Sequence, residues 1–409
     1  MNTTQSQPLL HSFLFDPNSY MYLVVSLSGE LTIKELVSAV EKAYTQNETT
    51  MSRLVLEQGK VWFEKMEKTG CKVFVKQGSW QEIRKENERK PFHLEAGEFF
   101  RIFLLKEKKG YTLMMMVHHL AADGKGMLLV LEDIFSNLTG EEVSYKPLHN
   151  EGSEIIPKDR KISFFMTCFI KFLNYFWKKS GKVFTWQDYY LVHEKFWETR
   201  ETEVKFETIE KQTLDQIKKE CAKLEITVNA YMIARLLKKH PEYKNMAFPI
   251  SLRKENRSIC NRVLMVKPPY RYNRRKSFQE NAKDLYRMAK LYQEDEKKRY
   301  EISLRVRWME PTLLDSCLLH TFCGYRNKAS EILSTLIGYR GKRKTHLTVT
   351  NLTVIPLKQD YGKFQVRKVA GIAPTMSACK EVICIGTFAD EMTIAYTSVI
   401  QNKNFLSIR

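Results

Sequence analysis

The segment that most constrains this chain is Tyr111-Thr112-Leu113-Met114-Met115-Met116-Val117, which contains neither a charge nor a turn former. Such a run reads as a buried strand, and it ends directly on His118-His119-Leu120-Ala121-Ala122-Asp123-Gly124. Neighbouring strand side chains point to opposite faces, so one imidazole can look into a cleft while the other packs or orients. A neutral histidine titrates near ~6.5 and can accept a proton from an attacking hydroxyl or amine, then return it. Asp123 could orient a histidine, or turn away and pair with a basic residue that locks the loop. Gly124 suits a positive φ or a close backbone approach. On spacing alone, the pair could equally be a satisfied core feature or two metal ligands. Metal is disfavoured because no further His and no HExxH spacing lies nearby.

A chain of 409 residues is too long for one small core and fits two domains of about 200 residues. With 43% hydrophobic and 12% aromatic residues it is not a disordered chain. The eight cysteines are scattered singly, with no CxxC pair to suggest zinc or redox chemistry, which fits a reducing cytoplasm. Met1 to Leu10 lacks the basic start and apolar core of a secretory signal. No segment reaches the ~18 consecutive apolar residues of a spanning helix.

Pattern and turn signals predict a strand over Tyr20–Leu27, a helix over Thr32–Thr45 and a hairpin over Leu54–Phe63 through Gln58-Gly59. Paired strands follow at Phe99–Leu105 and Thr112–Val117, then a helix at Gly126–Leu138. Pro147, Gly152 and Pro157 make Tyr145–Arg160 the expected linker. Beyond it come helices at Leu214–Leu224, Asn229–Lys239 and Phe278–Tyr300. The last strands are expected at Leu347–Thr353, Val382–Phe388 and Met392–Thr397. This order indicates mixed α/β layers.

The pattern formed by His118, His119, Asp123 and Gly124 is similar to the HHxxxDG signature of the CoA-dependent acyltransferase superfamily. That group includes chloramphenicol acetyltransferase, alcohol acyltransferases and the condensation domains of nonribosomal peptide synthetases. Further blocks resemble the family in order: Pro91 to Ile102, Thr227 to Met232, Phe248 to Arg253, and Thr350-Asn351-Leu352. Thr353 stands where the family has a glycine, Lys125 follows the motif where many relatives are uncharged, and of the family's N-terminal basic stretch little remains but Arg53. The resemblance implies an α/β fold of two chloramphenicol-acetyltransferase-like subdomains with mixed sheets and an active-site tunnel at their interface. The expected division is 1–157, a connecting helix at 158–182, and 183–409.

The resemblance also implies direct acyl transfer, without a covalent enzyme intermediate, from acyl-CoA or a phosphopantetheine thioester on an acyl-carrier protein to an alcohol, amine or lipid acceptor. No bound cofactor is expected beyond this co-substrate. His119 is the implied general base, with His118, Asp123 and Gly124 holding it and Arg253 as the partner of Asp123. Thr350 and Asn351 are the implied oxyanion donors. A rival reading is a non-catalytic, condensation-like module that binds a carrier protein or a lipid.

Two basic clusters, Lys267/Arg271/Arg274/Arg275/Lys276 and Arg340/Lys342/Arg343/Lys344, could hold donor phosphates or simply be solvated surface. Arg274, Arg275, Arg340, Lys342, Arg343 and Lys344 are the phosphate candidates. Nucleic acid is not expected, since no recognised binding motif appears. Ile162 to Trp177 carries Ser163, Thr167, Lys171, Asn174 and Lys178 as a narrow polar stripe on an otherwise apolar helix. It reads either as a helix buried between domains or under a lid, or as one lying in the headgroups of an anionic membrane with snorkelling lysines. The net charge of +19 favours the latter. The expected compartment is the cytoplasm, with peripheral attachment to the inner membrane face under that second reading.

Overall fold

The computed structural model describes residues 8–148, 156–157, 160–253, 257–341 and 344–401. In chain order its elements are α1 (Pro8–Leu14), β1 (Tyr20–Gly29), α2 (Ile33–Thr45), β2 (Ser52–Glu57), β3 (Lys60–Lys65), β4 (Lys72–Lys76), α3 (Trp80–Glu88), β5 (Phe100–Glu107), β6 (Gly110–His118) and α4 (Gly124–Thr139). There follow α5 (Phe164–Lys178), α6 (Trp186–Trp197), β7 (Arg200–Ile209), α7 (Lys211–Leu224), α8 (Val228–Lys239), β8 (Met246–Ser251), β9 (Val263–Val266), α9 (Phe278–Glu294), α10 (Glu296–Trp308), α11 (Pro311–Phe322) and α12 (Lys328–Ile337). The chain closes with β10 (Thr345–Val354), β11 (Phe364–Ile372), β12 (Cys379–Phe388) and β13 (Glu391–Gln401).

The apolar run is the centre of the first sheet, whose order is β11-β1-β6-β5-β4. Strand β6 is buried from Thr112 to His118 because β1 and β5 flank it, both antiparallel, and helices and loops cover its faces. The sheet is mixed, since β4 lies parallel to β5. The second sheet, β7-β13-β12-β10-β8-β9, is mixed as well: β10 runs parallel to β12 and β8, while β13 is antiparallel to β12 and β7. The fold is α/β with two mixed sheets. Each sheet has its own hydrophobic core, the second closed by Leu214 and Ile217 of α7, Met232 and Leu236 of α8, and Leu285 of α9.

The predicted elements lie within two residues at both ends of β1, α2, β5, β6, α4, α8 and β10, while those for α7, β12 and β13 fall three or four residues short at one end. The Gln58-Gly59 turn forms because both residues take positive φ, 50° and 73°. The helix expected over Phe278–Tyr300 is instead two. Asp295 ends α9 in an extended conformation (φ −77°, ψ 105°), and its carboxylate accepts from the backbone N–H groups of Lys297 and Lys298, capping α10. The helical pattern did not register that break, and α10 runs on to Trp308. Of the expected linker Tyr145–Arg160, residues 149–155, 158 and 159 lie outside the described residues. Helix α5 starts after Ser163, whose hydroxyl accepts from Met166 N–H. It is not enclosed between layers: only Ile170, Leu173 and Trp177 are buried, so the first of the two expectations for this helix does not hold.

Strand β11 was not foreseen. It comes from the C-terminal half, yet pairs antiparallel with β1 and completes the first sheet. A cavity of about 310 Å³ opens between the sheets, lined from the first by Met21, Leu23 and Ile372 and from the second by Ala247, Val263, Thr350 and Val382.

Candidate functional site

His119 lies one residue past the end of β6, half-buried in the cavity wall. Its backbone N–H donates to Ser19 O (2.8 Å), which ties the strand end to the turn before β1. The imidazole Nδ1 lies 3.0 Å from Ala122 O. A carbonyl oxygen only accepts, so this contact sets the tautomer with hydrogen on Nδ1 and a lone pair on Nε2. The Asn261 amide, 3.3 Å from Nδ1, donates to His119 O at 2.9 Å, and the Phe13 ring packs against the imidazole at 4.8 Å between centroids. Burial holds the His119 pKa below its ordinary value, so the ring is neutral at pH 7.

His118 points the other way, as alternation requires, and is fully buried between Tyr20 and Phe92. Its Nδ1 accepts from Leu120 N–H (3.3 Å), and burial brings its pKa down to about 3. It packs the strand end from behind.

Asp123 is 2% exposed and caps α4. Its Oδ1 accepts from Gly126 N–H (2.7 Å) and from Arg253 Nη2 (3.0 Å), and its Oδ2 from Arg262 N–H (3.0 Å). Arg253 further donates to Ser258 O (2.6 Å) and Cys260 O (2.8 Å). The structure thus brings together Asp123 and Arg253, 130 residues apart, and through them joins the loop of His119 to the segment before β9. The carboxylate makes no hydrogen bond to the imidazole among these contacts. Gly124 is needed for proximity rather than for φ: a Cβ there would stand 2.5 Å from Leu352 Cδ2, and one on Gly371 would meet Leu352 Cδ1 at 2.7 Å. Leu352 is therefore wedged between two glycines at the cavity wall.

On β10, Thr348, Thr350 and Leu352 line the cavity as alternate residues. Asn351 falls on the other face, where its Nδ2 donates to Asn229 Oδ1 (3.2 Å) and its Oδ1 accepts from Thr353 N–H (2.6 Å). Of the two oxyanion candidates, only Thr350 lines the cavity. Thr353 has φ 63°, in the left-handed region that glycine adopts most readily, and does so where the β10–β12 register shifts.

The phosphate candidates do not gather at the cavity. Arg274 and Arg275 are exposed, Arg340 contacts His320 Nε2 (2.9 Å), and neither these nor Lys344 line it. Lys342 and Arg343 lie outside the described residues. Lys267, from the first basic cluster, does line it. So does Asp16, a buried carboxylate held by Ser377 N–H (2.8 Å) and Asn18 N–H (3.2 Å), with its pKa raised by burial to about 6. Asp16 and Asn261 carry no motif, and their position at the cavity depends on loops from opposite halves of the chain. Among the described residues, no group of three or more His, Cys, Asp or Glu is placed to hold a metal ion.

Residues 3–152, which include the whole His118–Gly124 loop, match the model of the Condensation domain family. Solved condensation domains superpose on nearly the whole chain. The fold is that of a condensation domain. That of the monacolin K polyketide synthase aligns with a TM-score of 0.62 at 10% identity, covering 96% of this chain and 91% of that one. Polyketide synthase associated protein 5 from Mycobacterium tuberculosis aligns with a TM-score of 0.61 at 12% identity, covering 99% and 95%. The first condensation domain of the CDA synthetase gives 0.61 at 12% identity, covering 97% and 91%. In sequence, 137 residues are 30% identical to a polyketide synthase-nonribosomal peptide synthetase of Aspergillus clavatus, covering 31% of this chain and 3% of that protein. The chain thus spans a small fraction of the curated relative it matches. Condensation domains belong to the superfamily that the sequence blocks resemble, so motif and fold agree.

Proposed function

We propose that this protein is an acyltransferase that moves an acyl group from a thioester donor, acyl-CoA or a carrier-bound phosphopantetheine, to a hydroxyl or amine acceptor. The observation that carries this reading is the His119 tautomer. With Nδ1–H committed to Ala122 O, the Nε2 lone pair is left as the basic atom of a neutral imidazole in the wall of an apolar cavity. The acceptor O–H or N–H gives its proton to Nε2 as its heteroatom bonds to the thioester carbon. The tetrahedral intermediate then collapses, the C–S bond breaks, and the departing sulfur takes the proton from Nε2. No covalent bond to the enzyme forms.

Thr350, on the cavity face, is the proposed donor to the developing oxyanion. Asp123 and Arg253 hold the loop, so their role is positional. A thioester donor is supported by the starter condensation domain of rhizomide synthetase, solved in complex with C8-CoA, which aligns with a TM-score of 0.58 over 95% of this chain. The cavity lining is mostly apolar by area, which suits an acyl chain, while His119, Asp16, Asn261, Lys267 and the threonines of β10 supply polar groups along it.

The test is thiol release from a panel of acyl-CoAs and acyl-pantetheines offered with alcohols, amines and lipid acceptors. Loss of a general base costs about 10²- to 10⁴-fold. His119→Ala should fall by that amount with an unchanged melting temperature. Full activity in H119A, or no turnover of any donor by the wild type, would instead favour a binding module.

A further inference from the structure

Helix α5 wears its aromatic residues on the outside. Phe164 is 76% exposed, Phe165 85%, Phe172 52%, Tyr175 57% and Phe176 46%. At about 100° per residue these five fall within an arc of about 120°. The opposite edge, Ile170, Leu173 and Trp177, packs on α10, α11 and α12, and the polar Asn174 is turned toward the protein as well. Its amide donates to Trp308 O (2.8 Å) and its carbonyl accepts from Glu310 N–H (3.0 Å), while Trp177 Nε1 donates to Thr312 Oγ1 (2.8 Å). The helix is therefore fully docked without its aromatic face. An ordinary surface helix has the reverse arrangement.

From these observations we propose that α5 seats the protein on an anionic lipid surface, with the helix lying in the headgroup plane and its phenylalanines inserted. Charge selects this occupant. Between Arg160 and Gln187 the chain has no acidic residue and six basic ones; Arg160 and Lys178 pair with Glu296 and Glu310 of the neighbouring α10–α11 region, and the charge that rims the face rests on Lys161, Lys171, Lys179 and Lys182. Lys171 borders the aromatic arc, Lys161 and Lys179 sit near its two ends, and Lys179 Nζ lies 4.4 Å from the centre of the Tyr175 ring. Lysines rimming an aromatic face can snorkel to phosphate headgroups while the rings enter the acyl boundary. A second copy of this chain would bring lysines against lysines on a molecule of net charge +19, so self-association through this face is disfavoured. Crossing the bilayer is not involved: among the described residues no helix is long and apolar enough to span a membrane.

The neighbouring surface extends the seat. Trp308, whose carbonyl Asn174 holds, is 45% exposed at the end of α10, and an indole is well suited to the headgroup layer. The same α10 presents Ile302, Ser303 and Val306 to the central cavity. Docking through α5 thus sets one wall of the cavity close to the lipid. The proposal stands independently of the acyl-transfer reading, because none of the aromatic and basic residues that carry it lines the cavity.

The experiment is co-sedimentation of the full chain with vesicles of equal parts phosphatidylglycerol and phosphatidylcholine, against vesicles of phosphatidylcholine alone, at low and high salt. The wild type should pellet with the anionic vesicles, and less so at high salt. The variant F164S/F165S/F172S/F176S should lose at least about tenfold in partitioning, since each buried aromatic side chain contributes strongly to transfer out of water. The variant K161Q/K171Q/K179Q should lose about fivefold per lysine, roughly a hundredfold in all. Both should melt like the wild type, because the changed side chains are exposed. Three results would overturn the proposal: no pelleting of the wild type, equal pelleting of the aromatic variant, or a dimer in sedimentation equilibrium that the aromatic variant abolishes while lipid binding is absent.

Discussion

Asp123→Ala is the sharpest test of how the His119 loop is held. The carboxylate is buried and accepts three hydrogen bonds, from Gly126 N–H, Arg262 N–H and Arg253 Nη2. Losing the helix cap costs about 1 kcal/mol. Breaking a buried ion pair by removing one partner costs about 3–5 kcal/mol, and the lower end applies because Arg253 keeps Ser258 O and Cys260 O. The total is about 4 kcal/mol. For a chain of this length the unfolding entropy is roughly 0.9 kcal/mol per kelvin, so the melting temperature should fall by about 4–5 °C. Differential scanning calorimetry reads this directly. Asp123→Asn retains an acceptor for the cap and should fall in between. The double variant D123A/R253M should melt no lower than D123A, because it removes both members of the ion pair. A melting temperature for D123A within about one degree of wild type, or strictly additive losses in the double variant, would refute the claim that this ion pair fixes the loop. Activity should drop with stability here, since Ala122 O, the anchor of the His119 ring, immediately precedes the cap.

The remaining expectations are narrower. Because burial lowers the His119 pKa and the neutral ring is the active form, kcat/KM should be level at neutral pH and fall only as pH drops through a value below ~6.5; a half-maximum above pH 6.5 would exclude His119 as the titrating base. Gly124→Ala should push Leu352 away from its place between Gly124 and Gly371, lowering kcat/KM and costing about 1–3 kcal/mol of stability; wild-type kinetics would show that Leu352 is free to yield. Thr353→Gly should raise stability by about 1 kcal/mol, since Thr353 holds φ 63° against the preference of a branched side chain; a lower melting temperature would mean its hydroxyl bond to Leu352 O outweighs that strain.

Much of the site was legible because its chemistry is local. An uncharged run ending in two histidines announces a buried strand with one imidazole on each face, and the strand, loop and helix follow in that order. The partnership of Asp123 with Arg253 came only from the resemblance, since nothing in 130 intervening residues points to it. Alternation along β10 could have separated Thr350 from Asn351 beforehand, but which face looked inward was set by packing. The phosphate candidates were chosen by density of charge, a property that does not encode direction; the cavity took Lys267 instead.

By itself, then, the sequence determined the local periods: the apolar strand, the helices at Thr32–Thr45 and after Gly124, the glycine turn of the hairpin, and the aromatic richness of α5. These depend on residues within a few positions of one another, and backbone geometry converts them to structure directly. The tertiary structure decided what those elements meet. It carried β11 from the second half into the first sheet beside β1, placed Asp16 and Asn261 at the cavity, broke the long helix at Asp295, and turned the aromatic face of α5 outward. Each of these outcomes turns on contacts between segments distant in the chain, where the balance of burial, pairing and charge is settled only once both partners are in place.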